Sequence, residues 1–201
     1  GAPVRIFGAN FTGAGDLYWY VRADSPLKSL KDATDKTLVA FSSNGSSSNA
    51  VAAALVEELG SKAKLLATGD QASTLTQVMS GQIDIGWAAP PALIEEVRTN
   101  RVRVIARLSD VEAFKNQTIR MNFAHINVIT NKADQLKRFF AAYEETLNYM
   151  YSDPAALKIY ADYAGITPDQ AKFVRDTYFP KNNVLPRVLI SFAIETPTTI
   201  S

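Results

Sequence analysis

The chain has 201 residues, 47% of them hydrophobic, with 21 Lys and Arg set against 20 Asp and Glu. That balance, with neither sign gathered into a long block, excludes nucleic-acid binding through bulk charge, and the absence of cysteine excludes disulfides, thiolate nucleophiles and cysteine-held metals. The length suits one large domain or two small lobes with a sizeable core, and no run approaches the roughly 20 apolar residues of a membrane span.

Strands and helices alternate along the first half. Val4 to Ala9, Leu17 to Arg22 and Leu38 to Phe41 read as strands, followed by a helix from about Ser47 to Leu59. Lys64 to Ala67 is predicted as strand, Gln71 to Ser80 as helix, Ile83 to Trp87 as strand, Pro91 to Thr99 as helix and Val102 to Ala106 as strand. Such alternation calls for crossover connections and a mainly parallel sheet covered on both faces, an α/β unit over roughly Thr37 to Leu108. Ile119 to Thr130 then reads as one long extended run, and from Asp134 onward the pattern is helical. Asp153 before Pro154, and Thr167 before Pro168 with Gln170 behind, mark helix starts; Gly165 marks an end. If the extended segments LYWYVRADSP and IRMNFAHINVIT both cross between the same two lobes, they form a double hinge.

The most informative junction is Phe41 to Asn49, FSSNGSSSN, where an apolar strand gives way to a helix start. The first turn of a helix leaves amides without partners and carries positive partial charge, and Gly45 lets another group approach the main chain closely. Ser46, Ser47 and Ser48 add donors without formal charge. The first residues, GAPVRIFGAN, lack the basic and then apolar layout of a secretory signal, and their abrupt start leads us to expect that a signal or a longer N-terminal region has been removed.

The phrases VRADSPLKSLKDATDKTLVAFSSNGSSSNAVAAALVEELG, GDQASTLTQVMSGQIDIGWAAPPALIEEVRTNRVRVIARLSD and YADYAGITPDQAKF, in that order, resemble the substrate-binding proteins of ABC importers in the nitrate, sulfonate, taurine and thiamine-precursor group. The resemblance runs from about Val4 to Phe179. It implies a type II periplasmic binding fold, α/β with two lobes and double hinge strands, and capture of a small anionic or polar organic solute for an ABC permease. It also implies a periplasmic or other extracytoplasmic location, no cofactor or metal, no nucleic acid and no membrane insertion. The implied division is 1–24 as the remnant of lobe I with the first hinge strand, 25–118 as lobe II, 119–130 as the return hinge strand and 131–201 as the helical part of lobe I. Relative to the family, strand and helix units ahead of Val4 to Ala9 are expected to be missing, and VLPRVLISFAIETPTTIS departs from the usual ending.

On this resemblance Gly45, Ser46, Ser47 and Ser48 contact the ligand; the competing reading is an ordinary capped helix start. Thr68 and Asp70 lie in a loop bordering the same crevice, beyond the carboxyl end of a strand. Asp70 reads first as an N-cap, and its charge opposes an anion but suits an amine. Trp87 is either a stacking surface or a core tryptophan, Pro90 and Pro91 stiffening the turn behind it. Asn122 and Phe123 face opposite ways on the return strand, one of them toward the cleft. Arg120 pairs with a sulfonate or carboxylate, or lies on the surface. Asn10 and Phe11, in the loop GANFTGAGD, are the first-lobe candidates. Catalysis has little support: His125 is the sole histidine, and Asp84 more simply anchors a strand. Two other readings of this fold are the effector domain of a LysR-type regulator and a thiamine-pyrimidine synthesis enzyme.

Overall fold

Tyr18, Trp19, Tyr20 and Val21 are all wholly shielded from solvent, so the strand that carries them must be covered on both faces. In the computed structural model, which describes residues 2–13 and 15–188, this strand is β2 (Tyr18–Arg22), preceded by β1 (Val4–Thr12). There follow β3 (Leu38–Phe41), α1 (Ser47–Glu58), β4 (Lys64–Ala67), α2 (Gln71–Met79), β5 (Gly86–Ala88), α3 (Ile94–Arg98) and β6 (Val102–Arg107). The remainder is α4 (Glu112–Lys115), β7 (Thr118–His125), α5 (Ile126–Asn131), α6 (Ala133–Ser152), α7 (Pro154–Ala164), α8 (Pro168–Tyr178), α9 (Lys181–Val184) and β8 (Arg187–Val188).

β3 and β4 pair in parallel, a parallel bridge between Val39 and Ile85 joins β3 to the start of β5, and β2 runs antiparallel between β5 and β6. The resulting order is β4-β3-β5-β2-β6, in which β2 alone is reversed. This is the mainly parallel sheet that the alternating pattern called for. Trp19 pins its middle, its indole Nε1 donating to the Ala40 carbonyl at 2.9 Å. A second, antiparallel sheet has the order β7-β1-β8, with Phe7 of β1 packed edge-on against Phe140 of α6 at 5.4 Å.

The chain passes between the two sheets twice, through residues 13–17 and 108–117, and the two passages are tied together. The hydroxyls of Thr12 and Thr118 lie 2.8 Å apart, the Gly13 amide donates to the Gln117 carbonyl at 3.2 Å, and buried Asp16 takes Arg120 at 3.3 Å. The segment LYWYV, expected to cross between lobes, is instead the centre of the first sheet, and the crossing falls just ahead of it.

Four further expectations change. β1 continues to Thr12, so Asn10 and Phe11 lie in a strand, because pairing with β7 outweighs the turn-like glycines around them. The extended run over 119–130 ends at His125, whose ring accepts from the Asn127 amide and caps α5. The helix expected over Pro91–Thr99 is confined to Ile94–Arg98, since Leu93 takes a left-handed conformation at φ 58° that breaks the helical path behind the two prolines. The C-terminal helices do not belong to the second sheet alone: Val174 and Tyr178 join the main core, and Tyr178 stacks on Tyr18 at 5.4 Å. The caps at Asp153 and Thr167 and the left-handed Gly165 are as expected, and Asp84 anchors β3 by accepting from the Leu38 amide at 2.8 Å. The tail over 189–201 lies outside the described residues.

Gly86, opposite Tyr20 in the β2–β5 pair, is covered by that tyrosine's ring: a Cβ at Gly86 would stand 2.4 Å from Tyr20 Cζ. A fully buried ring cannot retreat, so Gly86→Ala should cost about 1–3 kcal/mol of stability in chemical denaturation. Tyr20→Phe, which deletes a buried hydroxyl with no partner among the described residues, should leave stability unchanged or slightly raised.

Candidate functional site

The loop after β3 is organised by one buried hydroxyl. Ser48, in the first turn of α1, is only 2% exposed; its Oγ accepts from the Ser42 amide at 2.9 Å and lies 2.9 Å from Ser42 Oγ and 3.0 Å from Ser46 Oγ. Ser46 is the N-cap, accepting from the Asn49 amide at 3.1 Å, and Gly45 turns the chain at φ 78°, a conformation that favours glycine. The amides of Ser47 and Ser48 donate to no acceptor among the described residues, and of the two only Ser47 is exposed at the positive end of α1.

A second loop follows β4 and is bonded to the first, the Thr68 amide donating to Phe41 O at 2.9 Å and the Gly69 amide to Ser42 O at 3.0 Å. Asp70 caps α2, accepting from the Ser73 amide at 2.8 Å and the Ser73 hydroxyl at 3.0 Å, and these bonds hold its carboxyl below the usual carboxylate range. At the carboxyl end of β5, Gln71 Oε1 accepts from the Ala89 amide at 2.8 Å and ties the third loop to α2. Trp87 sits beside it, 9% exposed, with its indole Nε1 buried and unpartnered among the described residues.

These loops form a crevice of about 330 Å³ lined by Ser42, Ser43, Gly69, Asp70, Gln71 and Trp87. Of the expected site residues, Asp70 and Trp87 lie on it. Gly45, Ser46, Ser47 and Ser48 adjoin it without lining it: once Ser46 is the cap, the residues ahead of the cap, Ser42 and Ser43, face the opening, and Ser48 turns inward. Thr68 is buried, donating to Phe41 O at 3.2 Å and lying 2.6 Å from Thr74 Oγ1, so its hydroxyl holds two loops together and does not face the crevice. The sequence signal for Ser42 and Ser43 was the same FSSN phrase. For Gln71 there was none beyond its place after a cap.

The remaining candidates lie elsewhere. Asn10, Phe11 and Arg120 line a different cavity, of about 430 Å³, between the end of β1 and helices α6, α7 and α8. Asn122 lines neither; it stands opposite Gly8 near Phe140, its Oδ1 buried and without a partner among the described residues. Phe123, its neighbour on β7, is exposed. No cluster of three His, Asp or Glu side chains among the described residues could hold a metal ion, and no described helix is long and apolar enough to cross a membrane.

A mainly parallel sheet with one reversed strand, two tied passages to a second sheet, and a crevice at the carboxyl ends of the parallel strands define the periplasmic-binding-protein fold. The aliphatic sulphonate binding protein SsuA of Escherichia coli superposes with a TM-score of 0.77 at 19% identity, covering 90% of this chain and 57% of that one. The MOPS-bound alkanesulfonate-binding protein SsuA of Xanthomonas axonopodis gives 0.73 at 16%, over 94% of this chain and 64% of its own. A Candida albicans protein described as exhibiting the generic periplasmic binding protein structural fold gives 0.63 at 12%, over 87% and 57%. This chain therefore spans less than two thirds of the length of each. The NMT1/THI5 like family model matches residues 1–157, and the chain belongs to that family. Among curated proteins none matches the sequence.

Removing the Ser48 hydroxyl leaves the half-buried Ser42 amide without its acceptor. Ser48→Ala should therefore lower stability by about 1–3 kcal/mol, whereas Ser47→Ala, on an exposed residue, should change it by less than about 0.5 kcal/mol in the same denaturation assay.

Proposed function

We propose that the chain is the solute-capturing part of an extracytoplasmic binding protein that serves an ABC permease, and that its crevice takes a small sulfonate-type anion. The observation that carries this reading is the amide of exposed Ser47 in the first turn of α1, which meets no acceptor among the described residues and adjoins a crevice lined by Ser42, Ser43 and Trp87. A sulfonate presents three acceptor oxygens and no donor, so it suits a wall made of donors; each hydrogen bond to a charged acceptor contributes about 1.5–3 kcal/mol. The Trp87 ring supplies the surface for the carbon skeleton. Capture involves no chemistry. Among the described residues Asp70 is the one titratable group lining the crevice, and its carboxylate is engaged by the start of α2.

The two tied passages at 13–17 and 108–117 support closure by relative rotation of the two sheets with their helices, with solute favouring the closed form. In this reading the boundaries fall at the two passages, so β2 moves with the α/β unit and β7, expected as the return hinge strand over 119–130, moves with β1 in the second sheet. The names of the solved neighbours support a periplasmic place and a sulfonate-type solute.

Ser47 is the first helical residue of α1, and Ser46 before it is extended at φ −74° and ψ 164°, so proline is tolerated there and removes only the amide donor. Ser47→Pro should weaken ethanesulfonate binding about tenfold in titration calorimetry while stability stays within about 0.5 kcal/mol; unchanged affinity would remove the open Ser47 amide from the site. Asp70→Asn keeps the cap and deletes the charge. It should tighten binding of ethanesulfonate and weaken that of 2-aminoethanesulfonate, whose ammonium Asp70 attracts; equal effects on both would place Asp70 outside contact with the solute.

A further inference from the structure

The crevice is bordered by two loops that offer different chemistry. Ser42 and Ser43 line it from the loop after β3, and Gly69, Asp70 and Gln71 line it from the loop after β4, the bond from the Gly69 amide to Ser42 O setting the two side by side. Asp70 is exposed and can only accept. Its Oδ1 takes the Ser73 amide at 2.8 Å and its Oδ2 the Ser73 hydroxyl at 3.0 Å, and each oxygen keeps a further lone pair.

Gln71, the next residue, supplies the complementary group. A side-chain amide has an accepting end and a donating end of nearly the same shape, and its partners decide which end faces which way. Here the Ala89 amide decides it. A backbone N–H can only donate, so the Gln71 oxygen faces it at 2.8 Å and the Nε2 group is turned away from it. Nε2 itself donates to no acceptor among the described residues, although Gln71 is half-buried on the crevice wall. Gln170 shows the alternative: its oxygen likewise takes a backbone amide, that of Thr167 at 2.8 Å, but its nitrogen donates to Glu95 at 2.6 Å. Gln71 is therefore held in place at one end and uncommitted at the other.

Consecutive residues thus border the crevice with a carboxylate acceptor and an unengaged amide donor. A hydroxyl group meets both, giving its proton to Asp70 and accepting from Gln71 Nε2. An ammonium has protons for Asp70 but no lone pair for Gln71, and an alkyl end satisfies neither. We propose that Gln71 is a specificity-determining residue, and that with Asp70 it selects hydroxyl-bearing sulfonates over plain alkyl ones. This rests on the reading that the crevice captures a sulfonate.

The test uses the full chain and three solutes of one carbon length in titration calorimetry: ethanesulfonate, 2-hydroxyethanesulfonate and 2-aminoethanesulfonate. The unsubstituted protein should bind the hydroxy compound about tenfold more tightly than ethanesulfonate. Gln71→Met keeps the length of the side chain and deletes its donor. It should reduce the hydroxyl preference about fivefold, while the affinity for 2-aminoethanesulfonate relative to ethanesulfonate stays within about twofold of its former value. Loss of the Ala89 tie alone would shift all three affinities together and leave both ratios as they were. The proposal is overturned by equal affinity of the unsubstituted protein for ethanesulfonate and 2-hydroxyethanesulfonate, a comparison that needs no variant, or by a folded Gln71→Met protein that keeps its hydroxyl preference; both results leave capture at the crevice standing. Failure of all three solutes to bind overturns that capture, and this inference with it.

Discussion

A hydroxyl placed in the first buried turn of a helix has to find partners, and Ser48 finds them by drawing the preceding loop back over α1. Its Oγ receives the Ser42 amide and touches the hydroxyls of Ser42 and Ser46, so the chain between residues 42 and 48 has one way to run. Gly45, at φ 78°, makes that path possible. With Ser48 turned inward and Ser46 occupied as the cap, Ser43 and Ser47 are the serines of this turn left exposed. The bonds from the Thr68 and Gly69 amides to Phe41 and Ser42 then set the second loop beside the first.

The third wall depends on a different constraint. Trp87 can stand at the crevice because Gly86, the residue before it, accepts the Tyr20 ring against its bare Cα, while the Trp19 bond to Ala40 locks the reversed strand in the sheet. For the proposed solute capture, a wall held in place in this way has no reordering cost to meet on association.

Local structure is legible in the sequence wherever its cause is local. The α1 cap, the capping box at Thr167, the glycine stop at Gly165 and the Asp70 cap all follow from groups within four residues of one another, and a pattern of that reach is visible in a string of letters. The misreadings fall where a distant segment intervenes. GANFTG looks like a loop, yet β7, more than a hundred residues on, pairs with it and straightens it. IRMNFAHINVIT looks like one strand, yet the Ile126 amide bonds to Pro3 O and the His125 ring caps a helix at that point.

The amino-acid order alone determined the α/β alternation, the reversed segment's apolar character, the serine-rich helix start and the absence of any nucleophile and base motif, because each is set by periodicity, by residue chemistry or by contacts a few residues long. Tertiary structure decided which serines face outward, that Thr68 is a brace, that Tyr178 from the last long helix completes the first core, and that Asn10, Phe11 and Arg120 belong to a cavity of their own. Those outcomes rest on pairings between residues tens to more than a hundred positions apart, and the direction a side chain takes there depends on the partner that folding brings to it.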